Sequence, residues 1–215
     1  MASDTTYVTP SAIRSLRWLL TLLGVAAAIA GPVYAINGAT QAGAAVEVPV
    51  QLTTDALADG RPAALLSGLP TGARLLPVDQ GVPVQLSAWD STVLEQLLSR
   101  GDAVLVGLAL GVGVWLLRPV LDSIAAGRAF GTGNARRLAG LAVVVVVAGA
   151  IGPLLPQVAS LAVLDRLDLV GPDSPFVMGV TFSFLPVVLA GALLLVLAQA
   201  FRQGELISRD VEGLV

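Results

Sequence analysis

Four long stretches of this chain, 18–36, 103–126, 138–164 and 177–201, are apolar almost throughout, and only the Arg118 and Asp122 pair interrupts them with charge. The first has 19 residues; as a helix it would be about 28 Å long, close to the thickness of a bilayer's hydrocarbon layer. A backbone exposed to lipid has no water to bond, so each segment must satisfy its own N–H and C=O groups. A helix does that alone, whereas a barrel strand would show period-two alternation, which these runs lack. The expected fold is therefore an α-helical integral membrane protein with four transmembrane helices. Composition agrees: 13% of residues are charged and mean hydropathy is +0.84, against about 25% charged in an ordinary soluble domain. A free soluble enzyme is excluded.

Arginine distribution orients the chain. With both termini and the loop between spans two and three on one side, that side holds Arg14, Arg17, Arg118, Arg128, Arg136, Arg137, Arg202 and Arg209, eight of the twelve basic residues. The other side holds Arg61, Arg74, Arg100 and Arg166 against ten acids. The positive-inside rule makes the arginine-rich side cytoplasmic. The expectation is a multi-pass protein of a bacterial plasma membrane with cytoplasmic segments 1–17, 127–137 and 202–215, an outer domain at 37–102 and an outer loop at 165–176. Arg14 and Arg17, the apolar run and Val33-Tyr34-Ala35 also read as a secretory signal. An uncleaved anchor keeps the span count even and is the reading adopted.

The insertion at 37–102 reads as a small extracytoplasmic α+β domain. Val48-Pro49-Val50-Gln51-Leu52 recurs as Val82-Pro83-Val84-Gln85-Leu86. Both copies alternate as strands do, and each proline lacks a ladder donor, which confines it to an edge or to a non-bonded position; two edge strands of a small outer sheet are expected in preference to a peptide-docking edge. Asp55 to Pro62 carries turn residues. Asp90 or Thr92 can cap a helix, with Glu95 completing a Thr-x-x-Glu capping box, and Leu94, Leu97 and Leu98 then make a short apolar face for the outer membrane boundary, with Trp89 as an interfacial anchor.

Chemistry is scarce. Without cysteine or histidine there is no thiolate, disulfide or imidazole ligand. No nucleophile elbow, zinc-protease, Walker or dinucleotide pattern occurs, and Gly131-Thr132-Gly133-Asn134 is too short for a phosphate fingerprint. We expect no catalytic residue, cofactor, metal or nucleic acid. Arg118 and Asp122, four apart, are expected to pair. Gly107 and Gly111 are candidates for close helix packing, and Pro153, Pro156 and Pro186 are expected to interrupt spans three and four.

The segment from Gly127 to Leu138 carries the most information. Gly127 suits a helix end, and Thr132 or Asn134 a helix start. Arg136 and Arg137 then crowd a helix N-terminus, where cations are unfavourable, so anionic lipid headgroups or an acidic partner are the natural counter-charges. Arg128, Phe130, Asn134, Arg136 and Arg137 are the candidate partner or lipid contacts. Phe201, Gly204, Leu206, Asp210 and Glu212 are the candidate docking residues of the tail, where Ile207, Val211 and Leu214 share a face. Phe130 is expected against Phe201 and Leu206, with Arg136 or Arg137 meeting Asp210 or Glu212.

Gly127, Arg128, Phe130, Asn134, Arg136, Arg137 and Leu138, followed by Phe201, Arg202, Gly204 and the ending Asp210-Val211-Glu212-Gly213-Leu214-Val215, resemble the bacterial membrane family called domain of unknown function 2975. The resemblance implies four spans and a membrane location; family members have no established activity, and some are encoded beside a small helix-turn-helix regulator. The expected function is a non-enzymatic accessory, sensing or regulatory subunit that works through other membrane-protein chains or as a homo-oligomer. The alternative is a small oligomeric channel or transporter subunit, suggested by the prolines of spans three and four.

Overall fold

The computed structural model describes residues 10–52, 69–71, 73–76, 83–171, 174, 176–177 and 183–212. The turn read at 55–62, Val82 of the second repeat and Leu214 lie outside the described residues. The chain is mostly helical, with four helices long and apolar enough to cross a membrane: Arg14–Ala39, Gly101–Ala125, Asn134–Arg166 and Phe184–Asp210. In chain order the elements are α1 (Pro10–Ala39), β1 (Val46–Leu52), β2 (Ala73–Leu76), β3 (Pro83–Ala88), α2 (Val93–Ser99), α3 (Gly101–Ala125), α4 (Asn134–Ile151), α5 (Leu154–Arg166), β4 (Phe176–Val177) and α6 (Phe184–Glu212). Two compact units result, one comprising Met1–Ala30, Val106–Gly149 and Phe184–Val215, the other Gly31–Leu105 and Ala150–Ser183.

The elements described in the first unit are helices, and glycines mark several of the contacts between them. Gly24 of α1 lies against Val114 of α3, Gly111 of α3 against Ala28, Gly140 of α4 against Leu116, and Gly191 of α6 against Val146. A Cβ at Gly24 would stand 2.7 Å from Val114 Cγ2, and one at Gly111 2.8 Å from the Ala28 Cβ. Small residues let helices approach without a side chain between them, which suits helices whose apolar surfaces gain nothing by leaving lipid for one another. Gly111 thus packs within the chain, and Gly107 is buried in α3. Outside these contacts the helices are bare: Leu22, Trp115, Leu193 and Val196 are exposed.

The second unit is an antiparallel sheet in the order β2-β3-β1-β4. Its two repeat strands are central, which corrects the expectation that they form the edges. They pair with each other so that Val50 faces Val84, Pro49 faces Gln85 and Gln51 faces Pro83, a local twofold centred on Val50 and Val84, the one pair of repeat counterparts that meet. Pro49 is tolerated because its carbonyl turns away from β3 and accepts from Ser160 Oγ at 2.5 Å. On that flank β4 reaches only Gln51 and Leu52, so the missing N–H opposes no strand. Val46, Val48, Val50, Leu86 and Ala88 bury one sheet face against Ala159, Val163 and Leu164 of α5, as period-two alternation requires.

Spans three and four begin and end differently from the sequence reading. The 138–164 run divides into α4 and α5 at Gly152 and Pro153. Eighteen residues of α4 already make about 27 Å, and α5 serves as the helical layer of the α/β unit. Pro156 falls in the first turn of α5 and Pro186 in the first turn of α6, where the absent N–H is one of the unpaired helix-start donors, so neither interrupts a helix. Val177 belongs to β4, and the fourth span starts at Phe184. Pro32 and Pro119 lie inside α1 and α3.

Local signals hold up better. Thr92 Oγ1 accepts from the Glu95 N–H at 3.2 Å while Glu95 Oε2 accepts from the Thr92 N–H at 2.9 Å, completing the capping box. Glu95 is buried and its other oxygen accepts from Arg166 Nε at 2.8 Å. Leu98 packs on the core, whereas Leu94, Leu97 and Trp89 are exposed. A polar chain in the same unit joins Ser91, Gln96 and Arg100: Gln96 donates to Ser91 Oγ at 2.7 Å, Arg100 donates to Gln96, and its guanidinium lies 5.3 Å from the Tyr34 ring centroid. Gly38 leaves the room that guanidinium occupies.

Candidate functional site

The loop between α3 and α4 begins with a helix stop. Gly127 adopts φ +72°, its N–H bonds the Ile124 carbonyl at 3.0 Å, and the Arg128 N–H bonds the Ser123 carbonyl at 2.8 Å. This is the doubled bond pattern of a left-handed glycine cap, and it satisfies carbonyls that α3 leaves open. The chain turns again as the Gly131 N–H meets the Arg128 carbonyl at 3.0 Å, and Gly133, at φ +88°, leads into α4.

Asn134 fastens this loop. It is 1% exposed, and its amide nitrogen donates to Ser123 Oγ at 2.5 Å and to the Ala129 carbonyl at 3.0 Å. Arg137 Nη1 donates to the Asn134 amide oxygen at 3.1 Å. The side chain expected to cap α4 is thus turned back into the loop, where it satisfies groups that burial would otherwise leave unpaired.

Phe130 ties the loop to α6. Its ring centroid lies 5.5 Å from that of Phe201 with planes at 60°, a tilted arrangement that suits the aromatic quadrupole. The ring occupies the place that a Cβ on Gly204 would need, so Gly204 makes the close approach possible. Phe130 remains 47% exposed. The ring contact expected between loop and tail is present, while Leu206, at 53% exposure, is not part of it.

The expected ionic clasp is absent among the described residues. Arg137 uses Asn134, Glu205 pairs with Arg209 at 3.0 Å one turn away, and Asp210 is exposed. Glu212 ends α6, and its side chain lies outside the described residues. A pair on consecutive turns closes without ordering two segments, which favours Glu205–Arg209 over a bridge to the loop. The expected Arg118–Asp122 pair is also replaced: Asp122 binds Arg17 Nη1 of α1 at 2.5 Å. An arginine placed four residues before an acid is the weaker helical order, and Arg17 also lies 6.0 Å from the Trp18 ring centroid. Sequence reasoning missed Ser123, Arg17 and Glu205. For the first two there was no local signal, because their partners are distant in sequence; the i,i+4 spacing of Glu205 and Arg209 was visible.

Two clefts flank the Phe130 contact. One, of about 530 Å³, lies between the loop and α6 and is lined by Arg128, Thr132, Glu205, Ser208 and Arg209. The other, of about 500 Å³, lies between α4 and α6 and is lined by Gly133, Arg136, Ala139, Leu195, Ala198, Gln199, Arg202 and Glu205. Arg128, Arg136 and Arg202 are exposed, and none pairs with an acid among the described residues. Chemically the region offers exposed guanidinium groups for phosphate or carboxylate oxygens. Comparison with protein-family models, curated proteins and solved structures finds no match.

Proposed function

We propose that this chain is a four-span plasma-membrane protein that acts through partner proteins, as an accessory, sensing or regulatory subunit without catalysis of its own. The loop between α3 and α4, with the end of α6, is its cytoplasmic contact surface, and the α/β unit faces outward. The observation that carries this reading is the combination of a fastened loop with uncommitted arginines. Arginines that serve only to orient the chain need no fixed geometry. Here a buried asparagine, a left-handed glycine and an aromatic contact hold one geometry while Arg128 stays exposed. Leu206 and Ile207, exposed on the same helix beyond Arg202, add the apolar area that a protein contact needs. The resemblance to domain of unknown function 2975 remains part of the proposal and supports the membrane placement only.

A photo-crosslinking residue at Thr132 or Ile207, introduced into the full chain in cells, tests the reading. A discrete protein adduct that Phe130→Ala weakens supports it. Adducts to lipid alone at both positions would defeat it.

A further inference from the structure

The cleft between α4 and α6 has a polarity gradient along its length. From Leu195 to Glu205 it follows α6 for ten residues, about 15 Å. Since α4 leaves the loop as α6 returns towards it, Ala139, Leu195 and Ala198 line one end, and Arg136, Arg202 and Glu205 line the end beside the loop. Glu205 is committed to Arg209 at 3.0 Å, which leaves the two arginines as the cleft's uncompensated charges among the described residues. The volume of about 500 Å³ falls within the range of small-molecule sites.

We propose that this cleft is a binding site for an anionic phospholipid, with its headgroup phosphate between Arg136 and Arg202 and an acyl chain along Ala139, Ala198 and Leu195. Two guanidinium groups suit phosphate oxygens because each presents paired N–H donors. The positive end of the α4 helix dipole adds to the attraction. The apolar end favours a lipid over a free anion, since inorganic phosphate would leave it wet and unfilled. This inference rests on the membrane placement proposed above and is independent of any protein partner.

The test is native mass spectrometry of the full chain released from nanodiscs containing equal amounts of phosphatidylglycerol and phosphatidylcholine. Preferential retention of phosphatidylglycerol is expected. Arg136→Gln with Arg202→Gln should lower that preference by about 25-fold, at roughly fivefold for each arginine at a membrane surface. Arg14→Gln, which removes one positive charge outside the cleft, should lower it less than either cleft substitution alone. Equal retention of the two lipids by the unmodified chain would overturn the proposal without recourse to any variant, as would a preference that survives the double substitution. Displacement of phosphatidylglycerol by millimolar inorganic phosphate would identify a free-anion site and overturn it too. Retained lipid selectivity with no crosslinked protein at Thr132 or Ile207 would defeat the partner reading alone.

Discussion

Asn134 illustrates how much one residue can settle. Its amide makes three bonds in a place that is 1% exposed. Removing it strands Ser123 and Arg137 partners, at about 1–3 kcal/mol for a buried polar group left unpaired. Phe130 is half-exposed, so Phe130→Ala should cost less than a full core deletion: about 1–2 kcal/mol from partial burial and the ring contact together. A denaturant titration in mixed micelles checks this, and an unchanged midpoint would mean that the ring holds nothing in place. Asp168 offers the opposite case. It ends α5 at φ +55° while the Leu169 N–H reaches the Leu164 carbonyl at 2.9 Å and its own N–H reaches the Asp165 carbonyl at 3.0 Å. This is the position helices usually give to glycine. Asp168→Gly should therefore raise stability, by about 1 kcal/mol, readable as a higher unfolding midpoint.

At the scale of elements, what was legible in the sequence was whatever closes within a turn or two. The Thr92–Glu95 box and the Gly127 helix end needed only neighbouring residues and formed as their spacing requires. Asp122's choice of Arg17, 105 residues away, could not be read in that manner, because both arginines look equivalent until α1 and α3 are packed. The repeat strands were misplaced for a related reason. A proline argues for an edge only if both flanks of its strand are paired, and that depends on where β4 stops and Ser160 arrives. The glycines at 24, 31 and 38, seven apart on α1, were an available signal for a helix face, and the structure buries all three. A Cβ at Gly31 would fall on the Ala103 carbonyl, so Gly31→Val should destabilise more than Ala27→Val by about 1–3 kcal/mol of overpacking. Equal unfolding midpoints for the two variants would contradict that contact. Glu95 is the α/β unit's most committed side chain, serving both the cap and Arg166. Glu95→Ala should cost about 3–5 kcal/mol, as for a buried pair broken from one side, whereas Glu95→Gln, which keeps the cap, should cost less. A Gln variant as unstable as the Ala variant would show that the charge and not the cap dominates.

For the whole molecule, the apolar runs announced four helices long and apolar enough to cross a membrane, but continuous hydropathy could not say which apolar residues stay exposed and which meet a sheet. That is why α5 reads as membrane span in the sequence and belongs to the α/β unit in the structure. Val163 and Leu164 are as apolar as any lipid-facing pair, yet they are buried with Val46, Val48 and Leu86. In the proposed topology the α/β unit, enlarged by β4 and α5, faces outward and the basic loop faces inward. The chain contains no cysteine, so single cysteines report orientation without background. Glu47→Cys, Gln85→Cys and Thr132→Cys, all at exposed positions, can be treated in intact cells with a membrane-impermeant maleimide. The account predicts that Glu47→Cys and Gln85→Cys label in intact cells, while Thr132→Cys labels only after the membrane is opened. Labelling of Thr132→Cys in intact cells, with Glu47→Cys and Gln85→Cys protected, would contradict it.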